Sequence, residues 1–319
     1  MMRLLALVPG GIGDQLLFFP TLETLKQTYP QAAIDVVVEP RSVGAYRVCP
    51  YVNNIWKFDF KGSNSFADWG NLLGTIRDCE YDVVLSLGKS FSVGLLLWLT
   101  GIPERIAFSG AGSFLLTQPV PLEQNQYAAA MYHDLASKGL GIDQPCPPIK
   151  LAIPQGDVAW VKSELKRMGI EGKGYVLIHG GASELSQRKG INKIYPVESW
   201  KTIINGVQAK LYDAPLVVIG GPDDRKLIKA LTELQPQLKV INPPDIGKLA
   251  ALIMSAQLLL CTDSAPMHIG VATGIKLVAL FGPTEPAKLL PSNDQIKAIQ
   301  SAEGQPIGAI APDDVLAAI

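Results

Sequence analysis

The chain has 319 residues, more than one hydrophobic core usually organises and enough for two. Hydrophobic residues make up 48% and charged residues 18%, which excludes a disordered chain. A formal net charge of -1, with no basic cluster longer than Arg188-Lys189 and nearby Lys193, excludes a polyanion surface, so no nucleic-acid partner is expected.

Taken in chain order, Leu4 to Val8 is an apolar run of strand length rather than of secretory-signal length. Leu16 to Tyr29 has Leu16, Phe19, Leu22 and Leu25 at helical spacing, with Pro20 expected to kink that helix or mark its effective start. Ala33 to Val38 and Asp82 to Leu87 read as strands. Val93 to Leu99 is too short to span a bilayer and reads as a buried helix, with a lipid-touching patch as the alternative. A second series follows: helices over Gly156 to Met168, Val197 to Leu211, Asp223 to Leu234, Ile246 to Ala256 and Pro266 to Thr273 alternate with strands over Tyr175 to His179, Leu216 to Ile219, Leu258 to Cys261 and Leu277 to Phe281. Such alternation predicts α/β architecture, parallel sheet with crossover helices, formed twice. The joint is expected at the Pro-rich stretch 145–154 or near Gly169 to Gly174, and residues 1–154 and 155–319 are assigned to the two domains.

Cys49, Cys79, Cys146 and Cys261 form no C-x-x-C pair and have no His at zinc-ligand spacing, so they are expected to be reduced and mostly buried. His133, His179 and His268 are too dispersed for a metal site. No metal and no cofactor are expected, and the chain reads as cytoplasmic.

Three loops after strands hold the candidate chemistry. In the first, Gly10-Gly11-Ile12-Gly13-Asp14, a dinucleotide fingerprint lacks its third glycine, and Asp14 would repel a pyrophosphate; Glu39, ending the second strand, is the one point in favour of NAD. Alternatively Gly11 and Gly13 make room for a sugar acceptor and Asp14 takes its hydroxyl proton, as displacement at an anomeric carbon requires. Asp14 could equally be a helix N-cap, and spacing alone leaves these open. In the second loop, after His179, the small residues Gly180-Gly181-Ala182 with their backbone N–H groups, plus Ser183, Ser186, Arg188, Lys189 and Lys193, could hold a diphosphate, or the segment could be a solvated basic loop. In the third, Cys261-Thr262-Asp263-Ser264-Ala265-Pro266-Met267-His268 joins a strand to a helix start, with Ser264 or Asp263 as cap and Pro266 suited to the first turn. A helix N-terminus there suits a diphosphate, while Asp263 suits sugar hydroxyls.

Together these segments resemble glycosyltransferase family 9, the heptosyltransferase family. The resemblance rests on Gly13-Asp14 with Pro20, Leu25-Lys26 and Pro30; on His179 to Ser183 with Lys193-x-Tyr195-Pro196; and on Asp263 to His268 with Ala279-Leu280-Phe281-Gly282-Pro283-Thr284. It implies a GT-B fold, two Rossmann-like domains whose parallel sheets face across a central cleft. It further implies an inverting, metal-independent transferase with the acceptor on the N-terminal domain and a nucleotide sugar on the C-terminal one. By resemblance Asp14 is the general base, and Ser183, Lys193, Ser264, Ala265 and His268 contact donor phosphate. Asp263 lies by the donor sugar, and Asp224 approaches the nucleoside. Departures from the family pattern are Tyr195 for Trp, Gly180 for Pro and Ala265 for Gly, the last adding a Cβ where a positive φ would be strained.

The resemblance favours an ADP-linked sugar, heptose by the family name, and a lipopolysaccharide-type or other cell-envelope glycan or glycolipid acceptor. That would set the protein at the cytoplasmic face of the inner membrane, with peripheral contact. The rival readings are an NAD-dependent enzyme and a non-catalytic member of the fold that binds a nucleotide sugar or glycan.

Overall fold

A computed structural model of the chain describes residues 1–181 and 194–319. The chain divides into two compact units, Met1–Ala152 and Ile153–Ile319.

The first unit is built on six parallel strands, β1 (Arg3–Val8), β2 (Ala33–Val38), β3 (Asn54–Lys57), β4 (Val83–Ser86), β5 (Glu104–Phe108) and β6 (Gln118–Val120), in the order β3-β2-β1-β4-β5-β6. Helices α1 (Ile12–Thr28), α2 (Phe66–Asp78) and α3 (Phe91–Thr100) lie in crossovers between strands, and α4 (Ala128–Ser137) follows the last strand and packs on α1. Central β1 is almost wholly buried because it pairs on both sides, Leu4 opposite both Ile34 and Val83. A strand covered on both faces needs a continuous apolar run, and Leu-Leu-Ala-Leu-Val supplies one.

The second unit repeats this plan. Its strands are β7 (Val176–His179), β8 (Leu216–Ile219), β9 (Lys239–Ile241), β10 (Leu258–Thr262), β11 (Leu277–Phe281) and β12 (Ile296–Gln300), in the order β12-β11-β10-β7-β8-β9. Its helices are α5 (Gln155–Arg167), α6 (Val197–Lys210), α7 (Arg225–Leu234), α8 (Ile246–Met254), α9 (Ala265–Thr273), the one-turn α10 (Pro286–Leu289) and α11 (Pro312–Ala317). Trp200, Ile203, Ile204 and Val207 from α6 pack on Val176, Ile178, Val218 and Leu260 of the sheet in one core. The C-terminal helix α11 packs on α6 of its own unit. Numbered within each unit, both sheets have the order 3-2-1-4-5-6, so in each the direction of winding reverses between the first and fourth strands. The carboxyl ends of those strands are where α/β sheets bind ligands.

Five expectations are corrected. Helix α1 begins at Ile12 and runs through Pro20, which therefore does not mark its start. Helix α3 is not buried all round: Phe91 and Trp98 stand half exposed. The segment after β8 opens with a 3-10 turn, Pro222–Asp224, before α7 begins at Arg225. Of the four free thiols only Cys261 is buried, the others being partly covered. Ala265 is under no backbone strain: the sole non-glycine residue with positive φ among the described residues is Glu80.

Candidate functional site

In the first unit, the turn from β1 into α1 is held from several sides. Gly10 has φ +133, a conformation that only glycine adopts without strain, and a Cβ there would fall 2.3 Å from Asp14 Oδ2. Ser42 Oγ donates to the Gly10 carbonyl at 2.6 Å, and Gln15 Nε2 donates to the Val8 carbonyl at 2.9 Å. Tyr46 OH in turn donates to Gln15 Oε1 at 2.8 Å. Gly11 is the N-cap residue of α1, Gly13 lies in its first turn, and Asp14 is the third helical residue.

Both oxygens of Asp14 are engaged. Oδ2 accepts the Gly11 N–H at 2.7 Å and Oδ1 accepts the Tyr132 hydroxyl at 3.2 Å. Tyr132 comes from α4, which packs along α1. Its burial, reinforced by the Asp14 charge and hydrogen bond, pushes the phenol above its usual range, so it remains a donor. Asp14 is half-buried, with both carboxylate oxygens held by donors. The same geometry disfavours a dinucleotide here. The Gly11 amide that a pyrophosphate would use already serves Asp14. Glu39, which would have to meet a ribose, is buried, and that burial raises its pKa.

In the second unit, the ends of β7, β8 and β10 meet at His179. Its Nδ1 lies 3.1 Å from Ser264 Oγ and its Nε2 lies 3.4 Å from Asp224 Oδ2. Burial would raise the Asp224 carboxyl, but the hydrogen bond and charge of His179 and the Gly221 N–H hold it below the usual carboxylate range. That N–H is 2.7 Å from Asp224 Oδ2. Gly181 passes so close that a Cβ would lie 1.5 Å from Asp224 Oδ1, so this position accepts only glycine without rearrangement. Thr262 Oγ1 donates to the Gly181 carbonyl at 2.9 Å, tying β10 to the loop after β7.

Ser264 is the N-cap residue of α9, yet its hydroxyl makes no cap bond: it engages the Thr262 carbonyl, 3.0 Å away, and His179. Pro266 brings no amide hydrogen to the first turn. The positive end of α9, entered through Ala265, is thus left without a side-chain cap, the condition that favours a bound anion. Asp263 is buried and accepts Thr284 Oγ1 at 2.8 Å, which links the end of β10 to the loop after β11. His268 is buried one turn into α9.

The fold thus gathers Asp224, Asp263, Ser264, Ala265 and His268 on adjoining segments of the second unit, and Gly11, Gly13 and Asp14 on one turn of the first. Ser183 and Lys193, with Ser186, Arg188 and Lys189, lie outside the described residues. Sequence reasoning assigned no role to His179, Tyr132, Thr262 or Thr284. The first sits in a quoted motif, but its two partners come from other strands; Tyr132 is 118 residues from Asp14 and has no local signal. No group of three or more His, Cys, Asp or Glu residues arranged to hold a metal occurs among the described residues.

Glycosyltransferase family 9 (heptosyltransferase) matches residues 69–308, most of the chain. The chain belongs to this family. It is 27% identical over 287 residues to lipopolysaccharide heptosyltransferase 3 of Escherichia coli, covering 86% of this chain and 81% of that one. It is 24% identical over 309 residues to the chloroplastic photosynthetic NDH subunit of subcomplex B 1 of Arabidopsis thaliana, covering 90% and 66%. Among solved structures, E. coli ADP-heptose lps heptosyltransferase II superposes with a TM-score of 0.79 at 22% identity, over 99% of this chain and 97% of that one. At that identity the likeness establishes the GT-B fold: two Rossmann-like α/β units, each with a parallel sheet. By family the chain is a heptosyltransferase-like glycosyltransferase.

Proposed function

We propose that this family 9 transferase moves a sugar, heptose from an ADP-linked donor, onto a lipopolysaccharide-type or related cell-envelope glycan, with inversion and without a metal. The observation that best supports this is the state of Asp14, a half-buried carboxylate on the turn after β1 with each oxygen fixed by one donor. In the proposed step Asp14 takes the proton of an acceptor hydroxyl as that oxygen bonds to the anomeric carbon. The bond from that carbon to the diphosphate oxygen breaks on the opposite side, and the nucleoside diphosphate leaves with the electron pair.

Residues 1–154 would hold the acceptor, with Gly11 and Gly13 leaving room beside Asp14. Residues 155–319 would hold the donor. The uncapped start of α9 at Ser264 and Ala265 suits the growing charge on the leaving diphosphate, with His268 just behind it and Ser183 and Lys193 as further contacts. Asp263 would accept donor sugar hydroxyls. Asp224 would border the nucleoside while orienting His179, which in turn sets the Ser264 hydroxyl. The names of the relatives support the heptose donor and the lipopolysaccharide acceptor, and such an acceptor would set the protein at the cytoplasmic face of the inner membrane.

The non-catalytic reading draws on the Arabidopsis relative, which is named as a subunit of a larger complex. A thermal-shift panel separates the readings. A ligand at a hundredfold its Kd stabilises the native state by about 2.7 kcal/mol. ADP should raise the melting temperature above other nucleoside diphosphates, unchanged by EDTA. Stabilisation by NAD alone would refute the transferase reading, and tight ADP binding with no turnover on any glycan would favour the non-catalytic one.

A further inference from the structure

His179 ends β7 and is 6% exposed, set between two polar side chains that belong to other strands of the sheet. Its Nδ1 lies 3.1 Å from Ser264 Oγ and its Nε2 lies 3.4 Å from Asp224 Oδ2. The two ends of this row fix where its hydrogens lie. The Ser264 hydroxyl has one hydrogen, and a carbonyl can only accept, so that hydrogen goes to the Thr262 carbonyl, 3.0 Å away. Ser264 Oγ therefore accepts from Nδ1. At the other end burial opposes the Asp224 charge, but His179 and the Gly221 N–H hold the carboxyl below the usual carboxylate range. Asp224 is ionised and accepts from Nε2. Both ring nitrogens are then donors, and the row from Asp224 through His179 to Ser264 runs in one direction.

The row also has an inner and an outer end. Asp224 and His179 are buried, whereas Ser264 is half-buried at the uncapped start of α9. An ionised carboxylate close to an anion site ordinarily weakens it, because like charges repel. Here the carboxylate faces a ring that donates at its far side to a hydroxyl. An oxygen that accepts a charge-assisted hydrogen bond gives a stronger one with its own hydrogen.

We propose that His179 is a positioning residue of the donor site: through it Asp224 strengthens the hydrogen bond that the Ser264 hydroxyl gives to a diphosphate, so that a carboxylate favours the binding of an anion. When the diphosphate arrives, the Ser264 hydrogen turns from the Thr262 carbonyl to a phosphate oxygen, and the Nδ1–H continues to donate to Ser264 Oγ. No covalent bond forms or breaks. This role rests on the reading of the second unit as the donor side.

The test uses inorganic pyrophosphate, which lacks the nucleoside that Asp224 would border, titrated by calorimetry in EDTA beside ADP. Asp224→Asn keeps the shape of the side chain and removes its charge. Repulsion alone predicts tighter pyrophosphate binding in this variant; the relay predicts binding about threefold to tenfold weaker. His179→Gln should weaken pyrophosphate binding about tenfold, yet cost no more than about twofold further in a Ser264→Ala background, because it acts through that hydroxyl. A side chain that merely packs would not show this dependence. Pyrophosphate binding by Asp224→Asn as tight as that of the wild type, or tighter, would overturn the proposal whether or not His179→Gln folds. So would losses at His179 and Ser264 that simply multiply. A wild type that binds neither ADP nor pyrophosphate would remove the donor reading and the relay with it; wild-type binding with the wrong sign at Asp224 would remove the relay alone.

Discussion

Asp14 is the third residue of α1, whose N-cap is Gly11, so the N-cap reading of its position is corrected. Its carboxylate accepts an amide at the start of α1, as a helix-terminal acid does, and Tyr132 fixes its second oxygen, which a helix terminus alone does not require. Asn at this position keeps an acceptor for the Gly11 amide but cannot take a proton. Asp14→Asn should therefore fold normally, retain ADP affinity by calorimetry and lose about 10²- to 10⁴-fold in kcat. Tyr132→Phe removes one charge-assisted hydrogen bond and should lower kcat about tenfold, with donor Kd unchanged in the same titration. In the second unit Gly181 faces Asp224 with no room for a methyl group. Gly181→Ala should cost about 1–3 kcal/mol in denaturant unfolding and weaken ADP binding, because Asp224 must move and His179 follows it.

Among the elements, the central strands were legible because burial on both faces demands unbroken apolar runs: β1, β2, β4, β7, β8, β10 and β11 all read directly from sequence. The strands that escaped notice, β3, β5, β6, β9 and β12, lie at or next to the sheet edges. Asn-Ile-Trp-Lys and Lys-Val-Ile alternate or stop too soon to stand out, since an edge strand is short and partly wet. The start of α1 was misplaced because glycines and an acid disguise its first turn, although Gly11 can cap and Asp14 suits the helix dipole. As candidates, Asp14, Asp263 and Ser264 were legible because each follows a strand. The bridging role of His179 was not, since it exists only once three strand ends are side by side. The α1–α4 contact also sets a pH limit. His133 of α4 lies 2.9 Å from Thr24 Oγ1 of α1, and burial drives its pKa below the ordinary value against the opposing pull of Asp134. A group whose folded pKa is depressed contributes stability above its unfolded value, about 6.5, and loses it as pH falls through the folded one. The melting temperature should therefore drop as pH falls below about 6.5, and His133→Gln should flatten that slope; an unchanged slope would remove His133 as its cause.

At the scale of the molecule, one topology is used twice with different terminal residues. In the first unit β1 is followed by Gly-Gly-Ile-Gly-Asp, which in the proposed reading is chemistry for taking a proton. The second ends β7 and β10 in small residues, a histidine and an uncapped helix, chemistry for holding an anion. That division predicts where a nucleotide acts. In hydrogen exchange ADP should protect amides around 176–181 and 262–268 and leave 3–14 unchanged. Protection confined to 3–14 would reverse the assignment of donor and acceptor units.

The most direct test of the central claim is turnover itself. The enzyme is incubated with ADP-heptose, EDTA and a lipopolysaccharide-core acceptor, with ADP release followed by chromatography and the new anomeric centre by NMR. The account predicts ADP release that depends on acceptor, a product of inverted configuration and loss of both in Asp14→Asn. A retained configuration, or full activity in Asp14→Asn, would contradict it.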